Sequence, residues 1–156
     1  MHVAKGALAG LISGLIASWV MEFFQAEYVR RRPLPPSDSL PATEKAADRM
    51  AGAAIGRPLS GAERKAAGPA VHYAMGGMTG AIYGTLAELL PVVRSAGGLP
   101  FGALVWLLAD EIALPTAGLS GSPLETPAEV NRYAFASHLV YGSVTELLRG
   151  IVRALL

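Results

Sequence analysis

The sequence predicts an all-α protein, a membrane-embedded four-helix bundle, and three observations lead there. The chain is 52% hydrophobic and only 16% charged, with a mean hydropathy of +0.40, whereas soluble domains carry about 25% charge. The charge is also segregated. Eight of the 13 Lys and Arg fall between Arg30 and Lys65, which suits several membrane helices better than one soluble core. Small residues, finally, recur at four-residue spacing. His72, Gly76, Gly80, Gly84 and Glu88 lie on one ridge of a helix, because residues i and i+4 stack. In water each interior Gly costs about 1 kcal/mol relative to Ala. In a bilayer the same smooth track lets another helix approach closely. A net charge of +1 argues against a nucleic-acid partner. With no Cys, disulfides, thiolate nucleophiles and thiolate metal sites are excluded.

A single domain, residues 1–156, is expected, with spans at about 4–29, 69–90, 99–114 and 131–152 and a polar loop at 30–68. The first apolar run, about Gly6 to Val20, is at or beyond the length of a signal-peptide core. It lacks an A-x-A-like site before the polar region, so it reads as a retained span. Trp19, Phe23, Phe24 and Tyr28 gather near its end as an interfacial aromatic belt. Arg30, Arg31 and Arg32 stop it, and Pro33, Pro35 and Pro36 end the helix. Pro41 to Gly56 reads as a short amphipathic helix, with Ala46, Met50, Ala53 and Ala54 on one side and Glu44, Lys45, Asp48 and Arg49 on the other. Such a helix lies along a membrane surface or is simply solvated. Ser60-Gly-Ala-Glu63 is a capping box that starts the next helix, and Pro69 is placed to kink it. Pro91 ends the second segment, and Arg94 to Gly98 forms a turn. The third segment has an uncharged run of only 15 residues, Ser95 to Ala109, short of the ~20 that a span needs. Pro115 and Gly118 break the chain, and Thr126-Pro127-Ala-Glu129 offers a second capping box before the last helix.

The two halves share a pattern. Gly10, Gly14 and Glu22 match Gly98, Gly102 and Asp110 in spacing, and Tyr83-Gly-Thr-Leu-Ala-Glu-Leu-Leu90 matches Tyr141-Gly-Ser-Val-Thr-Glu-Leu-Leu148. The simplest reading is a duplicated helical hairpin, a parallel repeat about the membrane normal. Helix packing is assigned to Gly6, Gly10, Gly14, Gly76, Gly80, Gly84, Gly102 and Gly142. Nine Lys and Arg fall on the side of the long loop and four on the other. Positive-inside counting therefore puts the loop in the cytoplasm.

Ionisable groups inside a bilayer cost about 2.5–3.5 kcal/mol at mid-helix and usually face a protein interior. Glu22, His72, Asp110, Glu111 and His138 converge toward one side and form the candidate polar pocket. Imidazoles beside carboxylates suit proton or cation handling. Glu88 and Glu146 lie toward the other side, near Arg94 and Arg149, and are read as interfacial helix ties. His72 and His138 differ in depth by about 12 Å at 1.5 Å per residue, which argues against one shared haem. His72, Met75 and Met78 are spread around the helix, so no soft-metal site is expected there. No cofactor, metal or catalytic motif is expected.

At Asp110-Glu-Ile-Ala-Leu-Pro115-Thr-Ala-Gly-Leu119-Ser-Gly-Ser-Pro123, then Glu129, Ser137-His-Leu-Val140 and Glu146, the chain resembles the YagU-like family of bacterial inner-membrane proteins. The resemblance covers mainly residues 98–150. It implies a small multi-span protein of the inner (cytoplasmic) membrane whose activity is not established. The family pattern has His where this chain has Asp110, which removes a fixed metal role there and leaves a titratable one. Its basic termini imply N-in and C-in, against the charge count here. The expected function is a non-enzymatic structural or accessory subunit. Its partners are the lipid bilayer and a homo-oligomer or larger membrane complex. The alternative is a small proton- or cation-coupled carrier or channel using the His/carboxylate cluster.

Overall fold

The computed structural model describes residues 2–37 and 39–156. Among them the chain is all-α, with five helices and no strand. They are α1 (Val3–Arg31), α2 (Ala42–Ile55), α3 (Gly61–Leu89), α4 (Leu99–Trp106, continued by Leu107–Ala113 and Leu114–Thr116) and α5 (Ala128–Leu155). A 3₁₀ stretch, Pro91–Gly98, joins α3 to α4. It turns through Ala96, Gly97 and Gly98, all at positive φ.

Local chemistry sets most of these boundaries. Ser60 Oγ accepts the Glu63 N–H at 3.3 Å, and Glu63 returns the bond to the Ser60 N–H at 2.8 Å. This closed capping box starts α3 at Gly61, and the helix runs on through Pro69. The Arg57 guanidinium on Glu63, helped by Ser60, holds that carboxyl at about 2, well below its ordinary range. The second expected box does not form. Thr126 Oγ1 donates to Ser122 O at 3.0 Å instead, and α5 starts after Pro127 with no side-chain cap. Pro115 does not end its helix either. The stop is Gly118, at φ +65, where the N–H groups of Gly118 and Leu119 turn back onto Pro115 O and Leu114 O.

α1 lies antiparallel to α3 and to α5, and α4 packs on α5. The α1–α3 contact is made of backbone. A Cβ added to Gly10 would come closer than 3.0 Å to Gly80 and Gly84, and one added to Gly14 closer than 3.0 Å to Gly76. Gly98 and Gly102 of the second half meet Gly142 and His138 in the same way. Gly6 is likewise filled by Gly84 and Glu88. What is buried is therefore small: Ala9, Ser13, Ala17 and Ser18 on α1, Ala87 on α3, and Ser137 and Thr145 on α5. Met21, Tyr83, Tyr141 and Arg149 are large exceptions, with Phe101 packed between the two tyrosines. Large apolar side chains point outward. Trp19 is 61% exposed and Phe23 69%, and Leu104, Leu107, Leu108 and Ile112 form an open stripe on α4.

Two helical stretches are long and apolar enough to cross a membrane, Val3–Arg31 and Pro91–Thr116. The second is the segment whose uncharged run looks too short in sequence, and its regular helix starts only at Leu99, after the turn through Ala96–Gly98. α3 and α5, also expected as spans, do not reach that hydropathy, being diluted by glycine in one and by Glu146, Arg149 and Arg153 in the other. α2 forms where expected but packs differently. Ala47 is its buried residue, and Gly68 of α3 receives Glu44 and Thr43. Of the expected apolar face, Met50 (63% exposed), Ala53 and Ala54 are exposed and Ala46 is half-buried; Ile55 beside them is exposed too.

The packing predicts opposite effects for two glycines. Gly10→Ala should lower unfolding stability in detergent micelles by about 1–3 kcal/mol, because α1 and α3 must separate. Gly52→Ala, with nothing within 4 Å of the new methyl, should raise it by about 0.5–1 kcal/mol through helix propensity. Equal effects of the two would show that the α1–α3 contact is loose.

Candidate functional site

The site begins with a distortion of α4. Leu107–Ala113 is a π-helical turn. Its cause lies four residues further along the chain from Glu111. The ring of Pro115 meets the Glu111 carbonyl and offers it no N–H, so the preceding turn widens while the helix continues. Such turns recur at functional sites. This one carries Asp110 and Glu111.

From the widened turn Asp110 faces α5, where its Oδ2 lies 3.6 Å from His138 Nδ1. That nitrogen is also 2.9 Å from Ala134 O. A carbonyl accepts, so Nδ1 carries a proton toward Ala134, and the 3.6 Å approach to Asp110 is a charge contact rather than a second hydrogen bond. His72 stands on α3. Its Nε2 is buried and has no hydrogen-bond partner among the described residues, and neither has Trp106 Nε1, one turn before Asp110. Trp106 packs edge-on against Phe135 with centroids 4.9 Å apart. Two orphaned ring nitrogens beside an Asp–His pair mark a place where polar groups lack internal satisfaction.

The remaining expected residues, Glu22 and Glu111, make no hydrogen bond or ion pair with the Asp110–His138 pair among the described residues. Glu22 accepts a 2.7 Å bond from Tyr73 Oη, beside His72 in sequence. Glu111 is half-exposed and makes no hydrogen bond or ion pair among the described residues. Asp110 and His138 thus come together, and Glu22 is held by Tyr73, the residue after His72. None of the five expected residues lines the surface cavity beside Arg32 or the one beside Leu139. Among the described residues no group of three or more His, Asp and Glu is arranged to hold a metal ion. A part-buried carboxylate against an imidazole is suited to holding and passing a proton.

At the other end of the molecule, Glu146 takes a bidentate pair from Arg149 at 2.7 and 2.8 Å and a third bond from Tyr83 Oη at 2.8 Å. Glu88 is tied by Arg153 of α5 at 2.7 Å, not by Arg94, whose Nε reaches Pro91 O. Sequence reasoning missed Arg153 because the pair joins residues 65 apart. It missed Tyr73 for the same kind of reason. Tyr83 and Tyr141 were visible as the repeated Tyr-Gly motif but not as hydrogen-bonding anchors. The π-turn left one usable signal, Pro115 placed four residues after an acid.

Fold and site together define an all-α chain with two membrane-length apolar helices and a part-buried His/Asp cluster on a widened turn. The chain belongs to the family described as a protein of unknown function, DUF1440, whose model matches residues 53–147. No curated protein and no solved structure matches it.

The Asp110–His138 contact predicts an energetic coupling. A double-mutant cycle of Asp110→Asn and His138→Gln, read by unfolding in micelles, should give an interaction of about 0.5–3 kcal/mol. Strict additivity would mean that the two side chains are neighbours without being a pair.

Proposed function

We propose that this chain is a small multi-pass protein of the bacterial inner membrane, within the YagU-like group, and a non-enzymatic structural or accessory subunit of a membrane assembly. The observation that carries this reading is the inverted burial. Glycine, alanine and serine fill the contacts between helices, while Leu, Ile, Trp and Phe line the outside. In water that arrangement discards most of the hydrophobic driving force. In lipid, where the tails are as apolar as Leu, packing of small residues is what holds helices together. A four-helix bundle of two duplicated hairpins is the matching architecture. In its support, Gly10 approaches Gly84 as Gly98 approaches Gly142, and these are corresponding positions in the two halves. The exposed Met50–Ile55 face of α2, on the side with nine Lys and Arg, fits a helix lying in the headgroup layer.

A second reading rests on the π-turn cluster. Asp110, His138 and His72, with Glu22 and Glu111 nearer its edge, would bind a proton or cation in a coupled carrier. In that reading the orphaned His72 Nε2 and Trp106 Nε1 are satisfied by water.

Membrane embedding is tested at Leu104, 50% exposed on α4. Leu104→Arg should lower the membrane-inserted fraction, since a central Arg costs about 2.5–3.5 kcal/mol on insertion scales. On a water-facing surface the same change would be neutral to within about 0.5 kcal/mol. The accessory role is tested by native mass spectrometry of protein extracted gently from its own membranes. A stoichiometric second subunit is expected, and bare multiples of 16.2 kDa would count against it. In proteoliposomes, proton flux that Asp110→Asn and His138→Ala remove, with assembly intact, would favour the carrier; unchanged flux would end that reading.

A further inference from the structure

Where α1 ends, a cavity of about 140 Å³ opens between its last turn, the extended residues that follow and the first turn of α5. That is well above the ~10–15 Å³ that admits a single water. Its lining is Tyr28, Arg32, Pro33, Leu34, Glu129 and Arg132.

The charges in it are there for identifiable reasons. Of the three consecutive arginines, Arg30 and Arg31 are both taken up by Glu27. Arg32 is the residue at which the chain leaves the helix, at φ −137 and ψ 85, so its side chain lines the cavity instead. Arg132 is anchored through Nε to Ala128 O at 3.1 Å, which leaves its terminal amino groups for another acceptor. Glu129 is the acid that the expected capping box would have used. Because Thr126 bonds Ser122, Glu129 remains on the cavity wall. Among the described residues none of Arg32, Glu129 and Arg132 forms an ion pair. Tyr28, on the cavity wall, packs at a tilt against Tyr133 of α5 at 5.3 Å and against Phe24 at 5.9 Å. This aromatic row is of the kind found at headgroup depth.

We infer that this cavity binds the headgroup of an ethanolamine phospholipid. The phosphate lies between the guanidinium groups of Arg32 and Arg132, and the primary ammonium lies on Glu129. Planar guanidinium groups match phosphate oxygens in paired hydrogen bonds. A carboxylate beside them selects a zwitterion, since a headgroup without an ammonium leaves Glu129 unmatched. The inference rests on the membrane reading above.

The test uses the full chain in mixed micelles, with bound lipid counted by native mass spectrometry. Phosphatidylethanolamine should be retained over phosphatidylcholine and phosphatidylglycerol. The double variant Arg32→Gln, Arg132→Gln should lower retention of all three, by about tenfold for two charge-assisted contacts. Glu129→Gln should erase only the preference for ethanolamine. All three residues are exposed, so the variants should keep the helical content of the parent. Wild-type retention with no preference among the three lipids, or retention unchanged in the double variant, overturns the site. Displacement of the lipid by soluble phosphoethanolamine would support the same site and assign it a soluble ligand. Release of the chain from membranes by alkaline carbonate would instead remove the membrane reading. A chain that stays embedded yet shows no headgroup preference removes the site alone.

Discussion

The rest of the structure depends on how closely α1 and α3 approach. At Gly10, Gly14, Gly80 and Gly84 there is no room for a single methyl group between the two backbones, and at Gly76 the space is taken by the Ser18 side chain. Contact at that distance is held by dispersion and Cα–H···O approaches summed along the helices, each small and all short-ranged. It commits one ridge of each helix to glycine. On α1 the adjacent buried positions are then mostly small, Ala9, Ser13, Ala17 and Ser18. Leu8, Leu11, Leu15 and Trp19 are left part-exposed, with Leu11 and Leu15 flanking the contact against Gly77.

Polar groups inside this interior are satisfied mostly by their own helix. Ser13 bonds Ala9 O, Ser18 bonds Gly14 O, Ser137 bonds Tyr133 O and Thr145 bonds Tyr141 O, each four residues back. Such bonds need no partner across the interface. The two buried tyrosines do the crossing. Tyr141 Oη donates to Gly76 O on α3 and lies 2.8 Å from Thr79 Oγ1, while Tyr83 Oη reaches Glu146 on α5. Each therefore fixes the register of α3 against α5, which the smooth glycine ridges by themselves leave free to slide.

Features governed by near neighbours in the chain were legible in the sequence. The glycine spacing, the Ser60–Glu63 box, the stop after Arg31 and the end of α3 before Pro91 depend on residues within a turn or two. Features decided by competition or by distant partners were not. Thr126 donated its hydroxyl to Ser122 O rather than accepting the Glu129 N–H, so the box failed. The contact of α2 with α3 was not legible either, because it runs through the Thr43–Glu44 edge against Gly68, a partner more than twenty residues away. Asp110 and His138 were readable as ionisable groups on one side; that they meet, and that Glu111 stays out, follows from a turn geometry that Pro115 only hints at.

The π-turn also sets how α4 responds to changes in its length. It holds an extra residue over nearly the same rise, so the two parts of the helix on either side are out of phase by about 100°. Phe101 and Gly102 face the interior from one part, and Leu114 and Pro115 are aimed by the other. Losing one residue between Leu107 and Ala113 would restore a regular helix and swing everything beyond it by that angle, turning a different set of side chains toward α5. For this stretch of chain, residue count is as much a part of the specification as residue identity, and substitutions are easier to accommodate than deletions.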